Sequence, residues 1–218
     1  MKVTTDACIF GASAPLLPGI NKVLDIGTGT GLLTLMLAQR NAEIFIDGIE
    51  IDTGAAEQAK KNIEETSWGN RIRIFEGDAK NYAFSEKYDL IITNPPFFNN
   101  SLLGPAARKN GARHTVNLTC NDIIRITEIC LNEGGYLAIL LPDTEFNSFE
   151  EMAMLSNWQP FYKLSIKHRE TSPAKRVAGL FKKETATNEV SETLVIMNAD
   201  NSYTPAFRNL MAPFYLNL

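Results

Sequence analysis

From Lys22 the chain reads KVLDIG, then TGTG, then the apolar run LLTLMLAQR ending at Arg40. A short, nearly all-apolar strand that ends in alternating glycines and leads straight into a helix leaves few folds open. Such a strand must be covered on both faces. Its glycines let the backbone turn tightly and bring it close to a ligand at the helix N-terminus. The alternation then continues, with strands predicted at 44–51, 71–75, 88–93 and 136–141. Helices are predicted from Thr53, read as the N-cap, to about Thr66 and from the cap Thr119 to about Asn132, where Gly134-Gly135 ends it. A third is predicted over 143–157. Strand and helix alternating at short intervals imply an α/β fold with a doubly wound, mostly parallel sheet.

Three more strands are predicted near 161–168, 176–181 and 193–197. A polar connection joins the last two, which reads as an antiparallel hairpin at the sheet edge. The tail 206–218 is aromatic and apolar and is expected to pack back on the body. The stretch 97–118 carries Asn, Gly, Arg and Lys with no period, and structureless connections of that length in a compact domain are usually functional.

The 218 residues suit a single domain, 1–218, with a sizeable core. A net charge of −4 argues against a protein that coats nucleic acid non-specifically but allows a local basic patch. Cys8, Cys120 and Cys130 are odd in number. The last two lie ten residues apart on one predicted helix, roughly 15 Å along its axis, too far to bridge, so free thiols in a reducing cytoplasm are expected. No run reaches the ~18 apolar residues of a membrane span. The apolar stretch 7–20 follows Asp6 and is broken by Pro15 and Pro18, unlike an export signal. Two histidines and lone cysteines offer no metal-ligand spacing.

Gly27, Gly29 and Gly31 sit where the first strand meets its helix, the place where open parallel sheets bind ligands. Glu50 ends the second strand, where a carboxylate can take both hydroxyls of a ribose, and Asp78 follows the third strand, in range of an adenine amino group. The glycine spacing is G-x-G-x-G, and Asp25 stands two positions before the first glycine. A carboxylate there repels a pyrophosphate but suits the ammonium of a methionine moiety, which favours S-adenosylmethionine (SAM) over a dinucleotide. Asp25, Gly27, Gly29, Glu50 and Asp78 together resemble the class I SAM-dependent methyltransferases. That resemblance implies a Rossmann-like sheet of seven strands with an antiparallel edge strand, and it brings Ile51 and Ala79 into the cofactor site.

Asn94-Pro95-Pro96-Phe97 closes the fourth strand, beside the expected sulfonium. An exocyclic amine on adenine is a poor nucleophile because its lone pair is delocalised into the ring. The Asn94 side-chain oxygen and the Pro95 carbonyl can each accept one amine hydrogen, pulling the nitrogen toward tetrahedral geometry. Pro95 and Pro96 stiffen the backbone that holds this carbonyl, and Phe97 offers a face for a planar target. The motif resembles that of the amino-methyltransferases, whose targets include adenine N6, guanine N2 and glutamine amide nitrogen.

The wider pattern is more specific. MKVTTDACIFGA, DIGTGTGLLTLMLAQR, NPPFF followed by ARH, and SPAKRV, in that order, resemble the bacterial methyltransferases that modify adenine N6 beside the anticodon of valine tRNA. The resemblance implies SAM as cofactor, tRNA as partner, Asn94 also touching the cofactor, and Thr5-Asp6 closing over the methionine end of SAM. The residues alone read Thr5-Asp6 equally well as a helix N-cap. Arg113 and His114 would grip a phosphate and stack near the base, or belong to a solvated loop. Members of that group usually carry a short basic and aromatic segment ahead of the MKV-x-TD motif. This sequence begins at Met1, so the segment is expected to be absent. Release-factor glutamine methyltransferases share both motifs but carry a helical domain ahead of the core, and ribosomal-RNA guanine-N2 methyltransferases also end their fourth strand in NPPF but often carry a duplicated domain. A catalytically silent RNA- or protein-binding scaffold is the non-enzyme alternative. A cytoplasmic monomer is the expected state.

From Lys163 to Lys183 seven basic residues, among them Lys175 and Arg176, stand against the single acid Glu170, in a chain of net charge −4. These residues form either the solvated edge of a sheet or a stripe that orients a polyanion.

Overall fold

The computed structural model describes residues 3–96, 118–183 and 189–217. The elements follow in the order α1 (Thr5–Ser13), β1 (Lys22–Ile26), α2 (Leu32–Arg40), β2 (Phe45–Glu50), α3 (Thr53–Glu64), β3 (Ile72–Glu76) and β4 (Tyr88–Thr93). Then come α4 (Cys120–Cys130), β5 (Leu131–Pro142), α5 (Asp143–Leu155), β6 (Trp158–Lys167), β7 (Ala174–Lys183), β8 (Val190–Val195) and α6 (Pro205–Met211). Among the described residues the sheet has eight strands, not seven, in the order β3-β2-β1-β4-β5-β7-β6-β8.

Strand β1 pairs in parallel with β2 and β4, β2 with β3, and β4 with β5. Successive side chains of each strand point to opposite faces, and both faces are covered. On one face Val23, Ile46, Leu90 and Leu180 pack with Phe10 of α1, Leu37 of α2, Ile63 of α3 and Phe207 of α6. On the other, Leu24, Ile91, Leu137 and Phe181 pack with Ile123 of α4 and Phe146 and Phe149 of α5. The tail therefore does return to the body, with Phe207 and Met211 fully buried.

Three expectations need correction. The antiparallel strand is β7, and it lies inside the sheet, between β5 and β6, rather than at its edge. Its hairpin partner is β6, while β8 lies beyond β6 and parallel to it. The reason is compositional. Val177–Phe181 is a buried run that needs a neighbour on each side and a helix on each face, whereas β8 is exposed over most of its length and suits an edge. Gly179 has Phe146 packed so closely that a Cβ would lie 2.5 Å from its ring.

The second concerns Gly134-Gly135, which do not end α4. They lie within β5, where the register against β4 shifts between Tyr88 and Leu90. Gly134 has φ +75°, and a Cβ on Gly135 would come within 3.0 Å of the Asp89 carbonyl oxygen. The third concerns the cap of α3, which is Asp52, accepting from the Ala55 amide at 2.8 Å. Thr53 instead donates its hydroxyl to Glu76 of β3 at 2.6 Å. Helix α1 begins where Thr5-Asp6 read as a possible N-cap, one residue later than the actual cap. Thr4 caps it, Ala7–Ala12 are buried, and Arg40 closes its end on the carbonyls of Gly11 and Ala14.

Candidate active site

Strands β1 to β5 point their carboxyl ends to one edge, and the residues beyond those ends form a row. Ile26 is in register with Ile49 of β2 and Thr93 of β4, so Gly27 stands between Glu50 and Asn94. Two strand spacings, about 10 Å, separate Glu50 from Asn94. The Thr93 hydroxyl, fully buried, donates to the Ile26 carbonyl at 2.8 Å and locks β4 to β1 just before Asn94. Asn94 is half-buried, Pro95 buried and Pro96 exposed. Phe97, Arg113 and His114 lie outside the described residues.

The turn after β1 is held from several sides. Gly27, Gly29 and Gly31 have φ of +73°, +59° and +87°, a region side chains rarely adopt. The amides of Gly27 and Thr28 donate to the Ile49 carbonyl at 2.9 and 3.1 Å, and Asn62 of α3 donates to the Thr30 carbonyl at 2.9 Å. Glu50 ties the turn to β2. One carboxylate oxygen accepts from the Gly29 amide at 2.8 Å and the other from the Asp52 amide at 2.9 Å. Beside it Ile51 is 53% exposed, an apolar surface at a strand end where an adenine ring could stack.

Asp25 is the unusual group. It is fully buried in β1, and its Oδ2 accepts from the hydroxyls of Thr28 at 2.7 Å and Thr34 at 2.8 Å. Its Oδ1 has no hydrogen-bond partner among the described residues. Burial pushes the carboxyl up to about 6. The two threonine hydroxyls oppose this, and nearby Glu50 adds to it.

Asp78 is engaged locally. Its oxygens accept from the Lys80 amide at 3.0 Å and the Asn81 side chain at 3.2 Å, so it caps the turn that carries half-buried Ala79. The Gly77 amide donates to the Glu50 carbonyl at 2.8 Å, which fixes this turn against the end of β2. Thr5 and Asp6 lie in the first turn of α1, where the cap itself is Thr4. Asp6 Oδ2 lies 3.6 Å from Arg176 Nε of β7, so the described contact of this carboxylate is with the far half of the sheet, not with the glycine turn.

The basic run is less segregated in space than along the chain. Lys163 pairs with Glu150 at 2.9 Å and Glu189 at 3.1 Å, and Lys183 with Glu128 at 3.0 Å. Arg169 donates to the carbonyls of Asn198 and Ala199 at 3.0 and 3.2 Å. Lys175 stays exposed at the start of β7. Asn62, Thr28 and Thr34 were not singled out from sequence. Only the closeness of two threonines to Asp25, three and nine residues on, hinted at their role.

The methyltransferase small domain model matches residues 13–145. The chain belongs to that family. A protein of Dyadobacter fermentans named tRNA1(Val) (adenine(37)-N6)-methyltransferase is 40% identical over 99% of this chain and 91% of its own length. One of the same name from Serratia proteamaculans is 37% identical over 99% of this chain and 84% of its own. A solved structure described as a predicted O-methyltransferase from Agrobacterium tumefaciens shares the fold at TM-score 0.76, with 18% identity over 96% of each chain.

Methyltransferases of this class use SAM, and the residues of this one fit it. Asp25 presents one buried carboxylate oxygen without a donor, suited to an ammonium. Glu50 presents a carboxylate beside an exposed apolar residue, suited to a ribose and its adenine. The glycine turn brings bare backbone between them. Among the described residues no helix is long and apolar enough to cross a membrane.

Proposed function

We propose that this methyltransferase transfers the SAM methyl group to N6 of an adenine in tRNA, the adenine beside the anticodon of a valine tRNA, and that 1–218 works as one catalytic domain. The observation that carries the reading is the register of Thr93 with Ile26, which stations Asn94 and Pro95 beside the glycine turn. The near-full-length similarity to relatives named for this reaction supports the substrate.

SAM, when bound, supplies a methyl group on a positively charged sulfur. The protein's part is to hold and activate the amine. The Asn94 side-chain oxygen and the Pro95 carbonyl accept the two amine hydrogens, which draws the nitrogen out of conjugation and directs its lone pair at the methyl. Pro95 and Pro96 limit backbone motion there. Phe97 would provide the stacking face for the adenine. The methylated nitrogen is acidic enough to lose its proton to these oxygens or to water, so no strong base is needed. Asp25 holds the methionine ammonium and Glu50 the ribose, with Ile51, Asp78 and Ala79 around the adenine of the cofactor.

The test is to incubate the protein with labelled SAM and total tRNA and identify the methylated nucleoside by mass spectrometry. The reading expects N6-methyladenosine. Label on guanine, or on a release factor supplied in parallel and none on tRNA, would reject it. Failure to bind SAM in a calorimetric titration would favour a silent scaffold.

A further inference from the structure

Past β5 the same edge of the sheet continues over β7, β6 and β8, and there the first turn of α1 closes a cleft of about 320 Å³. Its floor is apolar, made by Ile166, Ile196 and Met197, and its rim is polar, with Asp6, His168 and Lys175. Tyr203 also lines it.

The walls are tied down. The Ile196 and Met197 amides donate to the carbonyls of Lys167 and His168, both at 2.9 Å, carrying the β6–β8 ladder beyond the strands. Tyr203 bridges to Met197, and its ring lies 4.7 Å from that of buried Phe207. Arg169 holds the Asn198–Ala199 turn behind them. Asp6 is paired with Arg176, so its charge is offset, while His168 and Lys175 are both exposed at the mouth.

We infer that this cleft is a second nucleotide subsite, taking one unpaired RNA nucleotide that flanks the target adenine. A volume at the lower end of ligand pockets suits a single nucleoside. An apolar floor beside an aromatic ring accepts the face of any base, and a lysine at the mouth meets a phosphate. Position argues for a flanking nucleotide rather than the target. From β4, which carries Asn94, to β6 is three strand spacings, about 14 Å along one edge. A splayed loop reaching Asn94 would pass its neighbour over this cleft. The inference rests on the tRNA reading.

The test uses an anticodon stem-loop RNA in which each loop nucleotide other than the target adenine is made abasic in turn, with binding read by fluorescence anisotropy. For the parent protein, one abasic position should weaken binding by about tenfold, the order of one base stacked on a protein. In the double variant His168→Ala, Lys175→Ala the intact and the abasic loops should all bind more weakly, because a phosphate contact is lost, and the penalty at that one position should remain. A second variant, Met197→Asp, spoils the floor without touching the mouth, and with it the penalty at that one position should vanish while the others persist. S-adenosylhomocysteine affinity, unchanged in all variants, reports that the fold and cofactor site are intact. If the parent binds the loop but no abasic penalty depends on these residues, the cleft is not a subsite and the tRNA reading stands. If the parent binds no RNA, both fall.

Discussion

Replacing Asp25 with Asn should stabilise the protein and at the same time weaken its hold on the cofactor. The carboxyl is fully buried and pushed up to about 6, about two units above an ordinary aspartate. At 1.36 kcal/mol per unit, keeping it ionised costs the folded state about 3 kcal/mol at neutral pH. The folded carboxyl binds its proton more tightly than the unfolded one, so the fold is favoured below pH ~4 and loses that advantage as pH rises to about 6. An amide of the same shape carries no charge, so the part of the cost that grows with pH disappears, although its N–H donors replace an oxygen without a partner and give back about 1–2 kcal/mol. The melting temperature of Asp25→Asn should therefore gain on that of the parent between about pH 4 and pH 7, by roughly 5–10 °C for a chain of this size, and end above it. Calorimetric titration with S-adenosylhomocysteine at pH 7.5 should show the opposite ranking. The variant should bind about 10- to 100-fold more weakly, the loss of a hydrogen-bonded charge partner. The parent's affinity should also fall as pH drops through about 6, and the variant's should stay flat. A variant that melts lower than the parent and binds the cofactor equally well would refute both the cost of ionised Asp25 and its role.

Glu50→Ala should weaken SAM binding by roughly 1–3 kcal/mol and lower the melting temperature by roughly 2–6 °C, because it also frees the Gly29 and Asp52 amides. Unchanged affinity with normal melting would sink the ribose assignment. Asn94→Ala should cut turnover by roughly a hundredfold or more while SAM still binds, as expected for one preorganised polar contact at the reacting centre. Retention of more than about a tenth of the parent rate would mean the amine is activated otherwise. Lys175→Glu should weaken tRNA binding and reduce the slope of log affinity against log salt by roughly one to two, without changing SAM affinity. Arg176 is the poorer reporter, because its guanidinium pairs with Asp6 and a reversal there would set two acids side by side. An unchanged salt slope in the Lys175 variant would move the RNA surface elsewhere, with Arg108, Lys109 and Arg113 the next candidates.

The parts of the molecule that sequence revealed are those whose chemistry is local. A glycine-rich turn between an apolar strand and a helix, acids at the ends of the next two strands, and an Asn-Pro-Pro at the end of the fourth each carry their meaning in a few adjacent residues. Strand order past β5 was misread because a polar connection was taken for a tight hairpin, when the buried run Val177–Phe181 already demanded an interior place. Gly134-Gly135 looked like a helix stop because sequence shows that glycines interrupt a pattern, not whether they interrupt a helix or bulge a strand. The clamp of Thr28 and Thr34 on Asp25, the Asn62 strut under the glycine turn and the cleft between α1 and β6–β8 all join residues from separate elements. So does the pairing of Lys163 and Lys183 with distant acids, which reduces a charge run that seemed segregated. Phe97, Arg113 and His114 lie outside the described residues, and the roles proposed for them rest on the sequence alone.

The central claim is that the Asn94-Pro95 edge methylates an adenine amine in tRNA, and a single-turnover assay addresses it most directly. Excess protein is mixed with labelled SAM and a valine tRNA transcript, and in parallel with the same transcript carrying guanosine in place of the adenosine beside the anticodon. N6-methyladenosine is expected in the first tRNA, no transfer to the second, and a rate reduced by roughly a hundredfold in Asn94→Ala. Equal methylation of both transcripts, or transfer that survives loss of the Asn94 side chain, would contradict it.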